Sequence, residues 1–303
     1  MKIKALVIFM FWGLVSVQAQ NIQKDIALGK QYSEYVEQTI GTYENPELTA
    51  YIKAVGDKLT DQMEVPLFDY RYTILATPEP NAFSIPGGHL YITTGMFPFL
   101  ESEDELACIM AHEIIHANNR HVIKSNRRGI LPAILQIPGA IIGAVVDESI
   151  GNAINSPFRK ISELTHASYS RRQETEADLE GLKIASKAGY DPDALKTILS
   201  RIGEYGEIVS GEAEDKNPYA SHPMTIDRVG RIDKIQSKLE LGGRSYLAKN
   251  FLEKFDGALA GSDPSHGVFV EQTFLNPTEG FKLVLPEDWE SGFIGNMIAG
   301  VNT

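Results

Sequence analysis

The chain has 303 residues and a formal charge of −12, with 28 basic against 40 acidic side chains and a single cysteine. The acidic balance argues against binding to a phosphate backbone, so no nucleic acid is expected as a partner. One cysteine excludes an internal disulfide, which leaves the apolar core and any bound metal to hold the fold.

The first nineteen residues have a secretory layout. Lys2 and Lys4 precede an apolar run from Ala5 to Val17, and the small residues Val17 and Ala19 stand before Gln20. A signal peptide over 1–19 is therefore expected, with export to the periplasm or cell envelope; no cysteine follows the cleavage point to carry a lipid anchor. Residues 24–40 and 46–63 read as helices, the second opened by Asn45 as cap and Pro46 at the first helical position. Residues 70–75 and 90–94 read as strands, with Pro86-Gly87-Gly88 turning the chain just before the latter.

Residues 102–126 contain no Gly or Pro and predict one uninterrupted helix. Ser102 to Glu105 has the form of a capping box, and three acids in the first turn suit the positive end of the helix dipole. Within this helix lies His112-Glu113-Ile114-Ile115-His116. Positions four apart share a face, so His112 and His116 aim two imidazoles at one point, suited to a zinc ion, and Glu113 is placed to reach a metal-bound water. A third histidine at the metzincin spacing is absent, since Asn119 and Val122 stand where Gly and His would be needed. His121 is about 140° round such a helix from His116 and is not expected to share its metal. Cys108 lies about 12 Å along the axis from His116, which makes it a small buried thiol.

Residues 129–146 carry no charge. As a helix they would reach only about 27 Å against roughly 30 Å of hydrocarbon, and Pro132, Pro138, Gly139 and Gly143 interrupt them, so a lid near the cleft is expected, with peripheral membrane contact as the other reading. A further helix opens at Ser170 and ends before Gly189. Glu174 and Asp178 share one face of it and Glu176 points elsewhere; the pair suits a metal carboxylate and a partner for a ligand histidine, or simply a solvated face. Helices are expected from Asp191-Pro192 and over 224–239, and strands over 267–274 and 281–286 beyond Gly242-Gly243. The expected fold is α+β, mainly helical with one small sheet beside the active-site helix, divided as 20–243 for the main domain and 244–303 for a short β-containing extension.

Four blocks in order resemble the HtpX-like and BepA-like gluzincin metallopeptidases, the family that includes the CAAX prenyl protease. They are the 81–89 stretch Asn-Ala-Phe-Ser-Ile-Pro-Gly-Gly-His, the His112 to His116 pentapeptide, the Ser170 to Asp178 stretch, and His222-Pro223 followed by Arg228. The resemblance implies a zincin-type domain binding one Zn2+ through His112, His116 and Glu174, with Glu113 as general base and Asp178 behind a ligand. It also implies that His222 either closes over the metal or donates to developing charge, that Arg228 lies near the site, and that Ala82, Phe83 and Ser84 form a strand on which an extended substrate pairs. The expected activity is zinc-dependent cleavage of unfolded or misassembled envelope proteins, with outer-membrane protein assembly machinery as a further partner. The alternative is an envelope chaperone or assembly factor whose zinc site His222 keeps latent.

Overall fold

Alternation along three short strands sets the layering. In the computed structural model, which describes residues 2–125, 169–210, 226–239, 250–260, 267–270, 272–286, 289–294 and 297–302, β1 (Arg71–Leu75), β2 (Ala82–Ile85) and β3 (His89–Thr93) form a sheet in the order β1-β3-β2. β1 and β3 run parallel with Arg71 opposite His89, and β2 and β3 run antiparallel with Phe83 opposite Tyr91. Successive side chains alternate between faces. Ile74, Ala82, Leu90 and Ile92 enter the larger core cluster, while Leu75, Phe83, Ile85 and Tyr91 enter the smaller. The turn between β2 and β3 needs left-handed backbone at Gly87 (φ 82°) and Gly88 (φ 86°), which only glycine adopts without strain.

The smaller cluster is closed by α1 (Lys2–Ile40), through Tyr32 and Val36. The larger is filled by α2 (Pro46–Thr60) and α3 (Glu103–Asn118), which pack on the opposite face of the sheet. Asn45 caps α2, its side chain accepting from the Leu48 amide at 3.0 Å. Ser102 caps α3 in the same way through the Glu105 amide, but the reciprocal half of the expected capping box is replaced. The Glu105 carboxylate accepts from the Glu101 amide at 2.7 Å and pairs with Arg201 at 3.0 Å.

The expected continuous helix over 102–126 is broken. α3 stops at Asn118, Arg120 turns left-handed at φ 57°, and a short α4 (His121–Ser125) follows. Tertiary bonds outweigh a weak local preference here, because asparagine is a poor helix former. The Asn118 side-chain Oδ1 accepts from the Leu67 amide (2.9 Å) and the Tyr70 hydroxyl (2.8 Å), and Arg120 pairs with Asp25 of α1.

α5 (Arg171–Lys187) begins with a capping box between Ser170 and Gln173 and packs along α3. Gly181 allows that approach: a Cβ there would sit 3.1 Å from the His112 amide nitrogen. α6 (Ala194–Ser210), which starts slightly later than expected, and α7 (Ile226–Leu239), whose expected start at 224 lies outside the described residues, complete the helical layer. Phe251 and Phe255, beyond the expected boundary at 243, pack into this helical core. The expected strand over 267–274 folds back on itself as β4 (Val268–Val270) and β5 (Thr273–Asn276), joined by β6 (Phe281–Val284) in an antiparallel sheet. A hairpin of β7 (Trp289–Ile294) and β8 (Met297–Asn302) follows, which was not anticipated. No helix among the described residues is long and apolar enough to cross a membrane, and the 129–146 stretch lies outside them.

Candidate metal centre and active site

One face of α3 and one face of α5 meet at three donor atoms. His112 and His116, one turn apart on α3, bring their Nε2 atoms to 2.9 Å of each other. Glu174 on the first turn of α5 reaches between them, with Oε2 at 3.5 Å from His112 Nε2 and Oε1 at 3.5 Å from His116 Nε2. All three residues are buried. A tetrahedral ion bound at about 2.0–2.1 Å holds its donors roughly 3.3 Å apart, so this triangle of two imidazoles and a carboxylate has the size and chemistry of a divalent metal site.

Each imidazole is fixed from behind. His112 Nδ1 lies 3.1 Å from Asp178 Oδ1, one turn beyond Glu174 on α5. Asp178 is in turn held by the Arg228 guanidinium of α7, which donates from Nε at 3.1 Å and from Nη2 at 2.8 Å and stands 3.6 Å from Glu174. Burial alone would push the Asp178 carboxyl up, but the charge of Arg228 and the bond from His112 hold it at about 2. Burial likewise opposes a proton on His112, yet the bonds and charges of Asp178 and Glu174 outweigh it and raise this imidazole to about 9. Without a metal, the cradle therefore attracts a positive charge.

Behind His116 stands His121, with the two Nδ1 atoms 3.1 Å apart, and His121 Nε2 lies 3.2 Å from Glu176 Oε2. His121 is thus not among the three clustered donors, but it is not remote either. The break at Arg120 swings it back onto the ligand. The ring of Tyr169 covers His116 with centroids 3.9 Å apart. Burial and the charges of Glu113 and Glu174 raise its phenol well above the ordinary range, so it keeps its proton. Neither contact was anticipated: Tyr169 precedes its helix and carries no periodic signal, and only the Asn118-Asn119 pair hints that α3 stops early.

Glu113 is buried and accepts a hydrogen bond from the Ser84 hydroxyl at 3.2 Å. Ser84 and Ala82 face α3 from β2, and Phe83 faces away to stack on Tyr91 at 5.0 Å. β2 is an edge strand, and among the described residues its outer side pairs with no other strand. Arg228, with 1% of its surface exposed, sits behind Asp178. His222 lies outside the described residues. Cys108 is buried one turn before His112, its thiol donating to the Asp191 carbonyl at 3.3 Å.

Comparison with known proteins matches residues 46–236 to peptidase family M48. The chain is 27% identical over 218 residues to the beta-barrel assembly-enhancing protease of Escherichia coli K12, covering 69% of this chain and 43% of that protein. It is 24% identical over 212 residues to the protein of the same name from Yersinia pestis, with 69% and 43% covered. To the mitochondrial metalloendopeptidase OMA1 of Schizosaccharomyces pombe it is 27% identical over 216 residues, with 71% and 59% covered. The chain thus spans about half the length of the curated relatives it matches.

Proposed function

The chain belongs to peptidase family M48, and from that premise we propose that it is a zinc-dependent endopeptidase acting on extended stretches of polypeptide. The observation that carries this reading is the convergence of His112, His116 and Glu174 on one point, with Glu113 one residue along the same helix. When bound there, a zinc ion supplies Lewis acidity, lowering the pKa of water toward neutrality and polarising a carbonyl.

The protein's own groups do the rest. The Glu113 carboxylate, oriented by the Ser84 hydroxyl, takes a proton from the attacking water and passes it to the leaving amide nitrogen. Asp178 and Arg228 hold His112 in the tautomer that turns Nε2 toward the ion. The edge strand β2 offers backbone groups to a substrate in extended conformation, which makes recognition largely independent of side chains. His222 supplies a further donor or closes the site, as the family resemblance implies.

The names of the bacterial relatives support polypeptides that take part in β-barrel assembly as substrates or partners. The secretory layout of residues 1–19 supports export to the envelope. The test is a metal analysis of the purified chain combined with cleavage of unfolded casein. One equivalent of zinc, with cleavage abolished by a chelator and restored by zinc, is the expected result; cleavage that survives complete metal removal overturns the reading.

A further inference from the structure

We propose that His121 is a positioning residue for the ligand His116, with Glu176 orienting His121 in turn. The inference deepens the metal-site reading above and rests on it.

Two imidazoles meeting nitrogen to nitrogen must have complementary protonation, one donating and the other accepting. His116 can present a bare Nε2 to an ion only if its Nδ1 carries the proton. The atom 3.1 Å from that Nδ1 is His121 Nδ1, which must then be bare. The proton of His121 consequently lies on Nε2, against Glu176 Oε2 at 3.2 Å. Glu176 Oε1 accepts from Arg172 Nε at 2.9 Å. One proton assignment thus satisfies every contact from the metal donor to the helix surface.

The arrangement parallels the one behind His112. There a carboxylate backed by an arginine meets the ligand directly; here the carboxylate and arginine act through one intervening imidazole. His121 itself is pinned from three sides. Arg120, left-handed and paired with Asp25, aims it back toward α3; the Gln173 side-chain amide donates to its carbonyl at 3.2 Å; and Glu176 takes its ring. Its side chain is 0% exposed, whereas that of Glu176 is 33% exposed, so the chain of contacts runs from core to surface.

The experiment measures zinc affinity of the purified full chain by competition with a chromophoric chelator, alongside thermal unfolding of the metal-free forms. His121→Phe keeps a ring but no polar atom, and its affinity is expected to fall by about tenfold to a hundredfold. His121→Asn places an amide oxygen near the lost Nδ1 and is expected to recover most of that loss. Glu176→Gln, at a partly exposed position, is expected to lose severalfold without a change in unfolding temperature. Wild-type affinity in His121→Phe, or equal weakening in the Phe and Asn variants, overturns the role of His121; an unchanged Glu176→Gln overturns that of Glu176. Should His121→Phe fail to fold, His121→Ala takes its place against His121→Asn by the same criteria. A wild-type chain that binds no zinc brings down the metal site itself, a result distinct from zinc binding indifferent to His121.

Discussion

At the scale of single residues, Glu113 and Arg228 perform different work. Glu113→Gln keeps the shape of the site and removes the proposed base, so the purified variant is expected to bind zinc as the wild type does and to lose about 10²- to 10⁴-fold in casein cleavage. Arg228→Met instead strands Asp178 as a buried charge, which is expected to cost about 3–5 kcal/mol in urea unfolding and to weaken zinc binding with it. Burial and nearby acidic groups push the Cys108 thiol far up, so it is expected to resist thiol reagents until the protein unfolds, as labelling across a denaturant series would register. The spacing of His112, Glu113 and His116 made their shared purpose legible in the sequence, because helical geometry alone brings the two imidazoles together. Glu174 and Asp178 were legible as a pair on one face, but spacing equally suited a solvated surface. What spacing could not reveal is the pairing of Asp178 with Arg228, since it depends on how α7 packs against α5.

At the scale of elements, the close contact of α3 and α5 sets the span of the metal cradle. Gly181 lies against the backbone at His112, so Gly181→Val is expected to force the helices apart and to lower both the unfolding temperature and zinc affinity. A variant that loses neither would show that the contact can yield freely. Most elements were legible from capping residues, apolar period and glycine turns. Asn45 and Pro46 open α2 where expected, and β1 and β3 fall within a residue of their expected bounds. Two of the departures share a cause, since they depend on bonds between distant segments. The side chain of Asn118, the last residue of α3, is held by Leu67 and Tyr70, and Glu105 is drawn toward Arg201. The β7–β8 hairpin differs in carrying a local signal, for Gly295-Asn296 between its strands is a common hairpin dipeptide.

At the scale of the whole molecule, metal and pH act on stability through the folded state. An ion held by α3 and α5 together binds the folded chain in preference to the unfolded, so chelation is expected to lower the unfolding temperature and zinc to restore it. Burial, then the charge of Arg71, depress His89 from 6.5 to about 4. Its unfolded form takes up a proton more readily than its folded form, so stability is complete above pH 6.5 and declines as pH falls toward 4. Urea midpoints across that window are expected to slope less in His89→Gln than in wild type. The order of the ligands along the chain has one more effect: two histidines come early on α3, and their carboxylate comes only with α5, long afterwards. The residues up to the end of α3 therefore supply two of the three donors, and the cluster is complete only once α5 has packed along α3.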